Sequence, residues 1–177
     1  MDYDNDGDED LFVNRNQMYR NDGDGVFVRL LLGFHNVAGL GNNCSWADYD
    51  NDGDLDVCIA SNPRSVLYRN EHGEEFTAIQ EGDVDWHLDH RAFACAWGDY
   101  DNDGNVDLIV VHPALFMGAP VLTNMMYHND GPPNYALTRV YTHDVTMGTA
   151  AYTIGTFSDY DLDGDQDYFI DSGPIQT

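Results

Sequence analysis

The chain has 177 residues, 42% of them hydrophobic, and its 32 acidic residues face only 7 basic ones, for a formal charge of −25. Length and apolar content suffice for an ordinary core and exclude a disordered acidic tail. The charge excludes nucleic acid as a partner, since phosphates need a basic surface, and argues equally against docking on anionic lipid.

The chain opens at Met1-Asp2-Tyr3-Asp4 with no basic start and no apolar run, so no secretory leader is read there. Asp2 begins an acidic segment, DYDNDGDED, and Leu11-Phe12-Val13 follows as a short buried strand. Met18 to Phe27, MYRNDGDGVF, reads as a strand, an Asn/Asp/Gly turn and a second strand, which is a hairpin. Then the pattern returns. CSWA (Cys44 to Ala47) leads into DYDNDGDLD from Asp48, the strand Val57-Cys58-Ile59-Ala60, and the hairpin LYRNEHGEEF (Leu67 to Phe76). CAWG (Cys95 to Gly98) leads into DYDNDGNVD from Asp99, the strand Leu108-Ile109-Val110-Val111, and MYHNDGPPNY (Met126 to Tyr135). GTFS (Gly155 to Ser158) leads into DYDLDGDQD from Asp159 and the strand Tyr168-Phe169-Ile170.

The four acidic segments start 46, 51 and 60 residues apart and hold most of the acids. One unit is therefore strand, acidic loop, strand, linker, strand, turn, strand. Four strands per roughly 50 residues is the period of a propeller blade. The expected fold is all-β: about three to four blades of a partial β-propeller, each a four-stranded antiparallel sheet, with no amphipathic helix. Repeats fall at approximately 1–42, 43–91, 92–151 and 152–177. The first and last are incomplete, so the chain is expected to be a fragment of a longer protein or to associate through its open blade edges. No membrane insertion is expected: the most apolar stretch, Val106 to Met126, is interrupted by Asp107, His112, Pro113, Gly118 and Pro120.

Numbering each loop 1 to 9, Asp occupies positions 1, 3, 5 and 9 in every copy and Gly occupies position 6. Alternate side chains of a tightly turning loop can point at one centre, and Gly at 6 permits the sharp turn. Position 7 then offers its carbonyl, as in the oxygen-only loop of an EF-hand, except that this loop closes with Asp at 9 and enters a strand. The expected side-chain ligands are Asp2, Asp4, Asp6 and Asp10; Asp48, Asp50, Asp52 and Asp56; Asp99, Asp101, Asp103 and Asp107; and Asp159, Asp161, Asp163 and Asp167. Carbonyl ligands come from Asp8, Asp54, Asn105 and Asp165. Two carboxylates about 4 Å apart repel by roughly 4 kcal/mol at an effective dielectric of 20, so each loop calls for a cation. Up to four Ca²⁺ ions are expected, because Ca²⁺ takes many oxygens in flexible geometry, whereas zinc and copper want His or Cys, which these loops lack. The competing reading is an Asp/Gly turn with no metal, which four copies in phase make a poor one.

The segments WADYDNDGDLDVCIAS and WGDYDNDGNVDLIVVH, each followed by an LYRN-type hairpin, resemble FG-GAP/VCBS repeats, the repeats of integrin α-subunit-like β-propellers. The similarity covers nearly the whole chain. The resemblance implies calcium between the first and second strands of a blade, an extracellular or cell-surface setting, and protein or glycan ligands in adhesion or carbohydrate binding.

Several residues stand outside this scheme. The loop tyrosines Tyr3, Tyr49, Tyr100 and Tyr160 and the preceding aromatics Trp46, Trp97 and Phe157 recur in equivalent places and are expected to pack between blades. The three cysteines, Cys44, Cys58 and Cys95, are an odd number that suggests no disulfide framework; they read as small buried hydrophobes, with a Cys44–Cys95 bridge as the alternative. Asn43-Cys44-Ser45 is a glycosylation sequon at a strand start, where modification is not expected. The non-repeating segments around Trp86, His87 and His90, and around His112 and Phe116, are candidates for a ligand face; the competing readings are a polar surface loop for the first and a surface excursion with a buried Phe116 for the second. Three functions are weighed: a calcium-stabilised binding module without turnover, a structural repeat that builds a filament or surface assembly, and part of a polysaccharide lyase. With seven Arg and no Lys, the last is poorly supplied with substrate-binding cations.

Overall fold

The computed structural model describes residues 1–13, 17–34, 43–61, 65–79, 83, 92–112, 124–142 and 152–172. These residues form thirteen strands and no helix. The first sheet contains β1 (Leu11–Val13), β2 (Gln17–Asn21) and β3 (Phe27–Leu30), and the second contains β4 (Asn43–Ala47), β5 (Asp56–Ala60), β6 (Val66–Glu71) and β7 (Glu75–Ala78). The third contains β8 (Ala94–Gly98), β9 (Asp107–Val111), β10 (Met125–Asn129) and β11 (Leu137–Val140), and the fourth β12 (Tyr152–Ser158) and β13 (Asp167–Ser172). Every pairing is antiparallel between chain neighbours, and no sheet closes into a barrel. This is a partial β-propeller, with the second, third and fourth acidic loops each joining the first strand of a blade to the second, and the first loop leading into β1.

The apolar runs are continuous, not alternating, because the middle sheets are covered on both faces. Val57 and Ile59 of β5 point back to the first sheet and pack with Tyr3, Met18, Phe34, Tyr68 and Phe76. Their neighbours Cys58 and Ala60 point forward and pack with Cys95, Leu108, Val110 and Tyr127 of the third sheet. Every residue of β5 and of β9 is buried. The outward faces of the end sheets are open: Leu11, Val13 and Phe27 on the first, Ile154 and Phe169 on the fourth.

Successive first strands touch side by side. The indole Nε1 of Trp97 in β8 donates to the carbonyl of Ser45 in β4 at 3.1 Å. Gly98, at the end of β8, is a close approach: a Cβ there would stand 2.2 Å from Cγ of Phe157 in β12. Tyr49 and Trp97 stack at 5.9 Å with an 18° interplanar angle, so this pair packs between blades as the sequence suggests. Tyr160 does not: it is 78% exposed, because the fourth sheet carries no further sheet on its forward face among the described residues. The three cysteines are free; Cys58 and Cys95 are buried, Cys44 is only half-buried, and no Cys44–Cys95 bridge forms. Asn43 lies inside β4, where its Oδ1 accepts the amide of Cys95 at 3.3 Å. No helix of the described residues is long and apolar enough to cross a membrane.

Candidate metal centres

The four loops share one backbone geometry. Position 4 is left-handed in each, with φ of 59° at Asn5, 54° at Asn51, 62° at Asn102 and 63° at Leu162. Asn tolerates that region and Leu resists it. The glycine at position 6 has φ of 95°, 97°, 91° and 102° in Gly7, Gly53, Gly104 and Gly164. Nothing lies within 4 Å of a Cβ built on any of the four, so glycine is required there by backbone conformation and not by space.

Three of the four aspartates per loop are used by the turn itself. Position 1 accepts two amides, from positions 5 and 6: Asp48 takes Asp52 and Gly53 at 3.0 Å each, and Asp2, Asp99 and Asp159 do the same. Position 5 accepts the amide of position 7, as Asp52 does from Asp54 at 2.9 Å. Position 9 accepts the amide of the loop tyrosine and, in the first three blades, that of the hairpin asparagine. Asp56 takes Tyr49 at 3.0 Å and Asn70 at 2.8 Å; Asp107 takes Tyr100 at 3.0 Å and Asn129 at 2.8 Å.

Position 3 differs. One carboxylate oxygen of Asp4 and one of Asp50 are buried with no hydrogen-bond partner. Asp4, Asp50 and Asp161 are all pushed above the ordinary carboxylate pKa, first by burial and next by the position-5 carboxylate beside them. In the second and third blades position 9 is strained electrostatically too. Burial drives Asp56 up to about 8 and Asp107 up to about 6, against the opposing pull of the amides they accept. Asp2, Asp4 and Asp6 bring carboxylate oxygens within 4.8 Å of one another, as do Asp48, Asp50 and Asp56, and Asp99, Asp101 and Asp103. Oxygen-only clusters with an orphaned, buried carboxylate oxygen suit a hard cation such as Ca²⁺.

The loops are also tied to one another, in a way the loop sequence does not announce. Asn5 Nδ2 reaches the carbonyl of Gly53 at 3.0 Å and Oδ1 of Asp54 at 2.9 Å; Asn102 makes the same two bonds to Gly164 and Asp165. Asn51 reaches Oδ1 of Asn105 at 3.3 Å. Position 7 was expected to serve through its carbonyl alone; its side chain accepts a bond from the preceding loop, and Asn105 keeps the one oxygen that this requires. A second tie comes from the hairpin. Asn70 Nδ2 donates to the carbonyl of Tyr3 in the preceding blade at 2.8 Å and to Leu55 at 3.2 Å, and Asn129 does likewise to Tyr49 and Val106. The signal for this residue was present in the repeated YRN and YHN of the hairpins.

The family profile described as an FG-GAP-like repeat matches residues 2–59 and again 48–110. The chain belongs to the FG-GAP-like repeat family. Each match runs from one acidic loop through the next one and into its following strand, so the first matched span contains the Asn5 tie and the second the Asn51 tie. No curated protein matches the chain. Of the other site candidates in this FG-GAP-like chain, Trp86, His87, His90 and Phe116 lie outside the described residues. His112 does not belong to an open ligand face: it follows β9 and is 3% exposed, with its amide donating to Asn124 Oδ1 at 3.2 Å.

Proposed function

We propose that the chain is a calcium-binding β-propeller module that works by binding a protein or glycan ligand outside the cell, without turnover. The observation that carries the calcium reading is the position-3 carboxylate. A metal-free turn would be expected to employ its buried acids or neutralise them, yet Asp4 and Asp50 each keep a buried oxygen that no protein donor meets. Ca²⁺ would be held by positions 1, 3, 5 and 9 with the carbonyl of position 7, and would supply the counter-charge that lets these acids sit together. The residues' own part is to hold their oxygens in place: the amide bonds to positions 1, 5 and 9 fix those carboxylates before any ion arrives.

Calorimetric titration of the chelator-treated chain with Ca²⁺ tests this. Uptake of several equivalents and a rise in melting temperature are expected; neither effect would be seen if the loops were plain turns. The ligand assignment rests on the family's extracellular, adhesive and carbohydrate-binding roles, and glycan-array and pull-down measurements with the Ca²⁺-loaded chain check it.

A second reading, assembly by self-association, draws on the open end faces. Leu11, Val13 and Phe27 at one end occupy the places that Val57, Ile59 and Phe76 occupy in the second blade, and Tyr160 and Phe169 at the other end match Tyr49 and Cys58. A second copy stacking its first sheet on the fourth sheet of its neighbour would repeat the contact already made within the chain. Sedimentation velocity over a concentration series distinguishes this from a monomer.

A further inference from the structure

The third loop departs from the others at one residue outside its nine. The hairpins of the first two blades carry Arg20 and Arg69 next to the asparagine tie, and these turn outward to Asp22 and Glu71, at 2.6 and 2.8 Å. The third hairpin has His128 in the same place. Its ring turns toward the loop: Nδ1 stands 3.4 Å from Asp101 Oδ2 and 3.3 Å from Asp107 Oδ1, and it is buried without a hydrogen-bond partner. One ligand atom from each of His128, Asp101 and Asp107 lies within 4.8 Å of the other two. Asp107 is completely buried, and Tyr100 closes one side with its ring 6.2 Å from the imidazole.

We infer that His128 converts the third loop into a mixed nitrogen–oxygen site that prefers a zinc-type divalent metal to Ca²⁺, with His128 Nδ1, Asp101 and Asp107 as protein ligands. The spacing supports this. Donors about 3.3 Å apart are the edge of a tetrahedron with metal bonds of about 2.0 Å, the distance Zn²⁺ makes to imidazole and carboxylate. A simple His–Asp hydrogen bond would be shorter, near 2.7–2.9 Å, and aligned. The chemistry supports it as well: imidazole suits zinc and its neighbours in the first transition row, whereas Ca²⁺ takes oxygen. Two carboxylates and a neutral imidazole balance one divalent charge and leave a position for water. The first two hairpins carry arginine in this place; loop two has an imidazole of its own, His72, near Asp52 and Asp54, but that ring is exposed and its Nδ1 is already paired with Asp54 Oδ2 at 2.7 Å. The inference rests on the reading of the loops as cation sites, and narrows it for one of them.

The test is calorimetric titration of the full chain with Zn²⁺ in saturating Ca²⁺, alongside His128→Arg, which restores the residue of the other hairpins, and His128→Gln. One Zn²⁺ equivalent is expected in the parent chain, weakened at least tenfold in both variants, with the Ca²⁺ uptake of the first two loops unchanged. No Zn²⁺ uptake, or equal uptake by the variants, overturns the inference and leaves His128 as an ion-pair partner of Asp101 and Asp107 only. Zn²⁺ titration of the chelator-treated chain separates the two claims. If the calcium reading fails, Ca²⁺ heats vanish from all three proteins while the histidine-dependent Zn²⁺ equivalent persists.

Discussion

Loops two and four have nearly the same sequence and the same backbone, yet stand in different surroundings. In loop two, Tyr49 is 5% exposed under Trp97, Asn51 bonds the next loop, and Asp56 is fully buried. In loop four, Tyr160 is 78% exposed, the residue in the asparagine place is Leu162 at 86% exposure, and Asp167 is only half-buried. The position-1 and position-5 amide bonds survive in both, at 2.9–3.1 Å. Local sequence thus sets the shape of the loop. The neighbouring blade sets how dry and how rigid it is, and hence how strongly its charges need a cation.

The sharpest way to break this comparison is to cut the tie between blades. Asn129→Ala removes the donor to Tyr49 and Val106 and leaves buried carbonyls unpaired, at a cost of about 2–4 kcal/mol in urea unfolding. Asn21→Ala, where the side chain bonds only Glu9 and Gly23 of its own blade, is expected to cost about 1 kcal/mol in the same assay. Gly98→Ala comes next. A methyl group there meets Phe157, and about 1–3 kcal/mol of overpacking is expected, read out as faster protease cleavage within 152–172 while the second sheet stays protected. Smallest is Leu162→Asn, which relieves a left-handed leucine and is expected to add up to about 1 kcal/mol to the fourth blade, by the same protease assay.

Much of the architecture was legible in the sequence because a single unit is written out again and again. The strands Val57–Ala60 and Leu108–Val111, the hairpins, and the glycine at position 6 each follow from local pattern. What escaped is long-range. That Asn70 holds the carbonyl of Tyr3, or Asn5 that of Gly53, depends on which sheets become neighbours, and spacing alone does not say so. Position 7 was read for its carbonyl because the EF-hand analogy stops at one loop; its side chain matters only when a second loop lies alongside. His112 stood in a non-repeating segment read as a candidate ligand face or a surface loop, but it directly follows a strand buried on both faces and is itself buried. His128 was passed over as one more hairpin residue, although its replacement of an arginine found twice before was the available signal.

The central claim is that position 3 exists for a cation and not for the turn. Thermal unfolding of the parent chain and of Asp50→Asn, each in chelator and in millimolar Ca²⁺, tests it most directly. Without the ion, Asp50→Asn should be at least as stable as the parent, since it removes a half-buried carboxylate whose Oδ1 has no hydrogen-bond partner and whose ionised form burial and Asp52 disfavour. With Ca²⁺ the parent should gain several degrees and the variant measurably less. A parent chain whose unfolding is indifferent to Ca²⁺, or a variant that gains as much as the parent, would contradict the account.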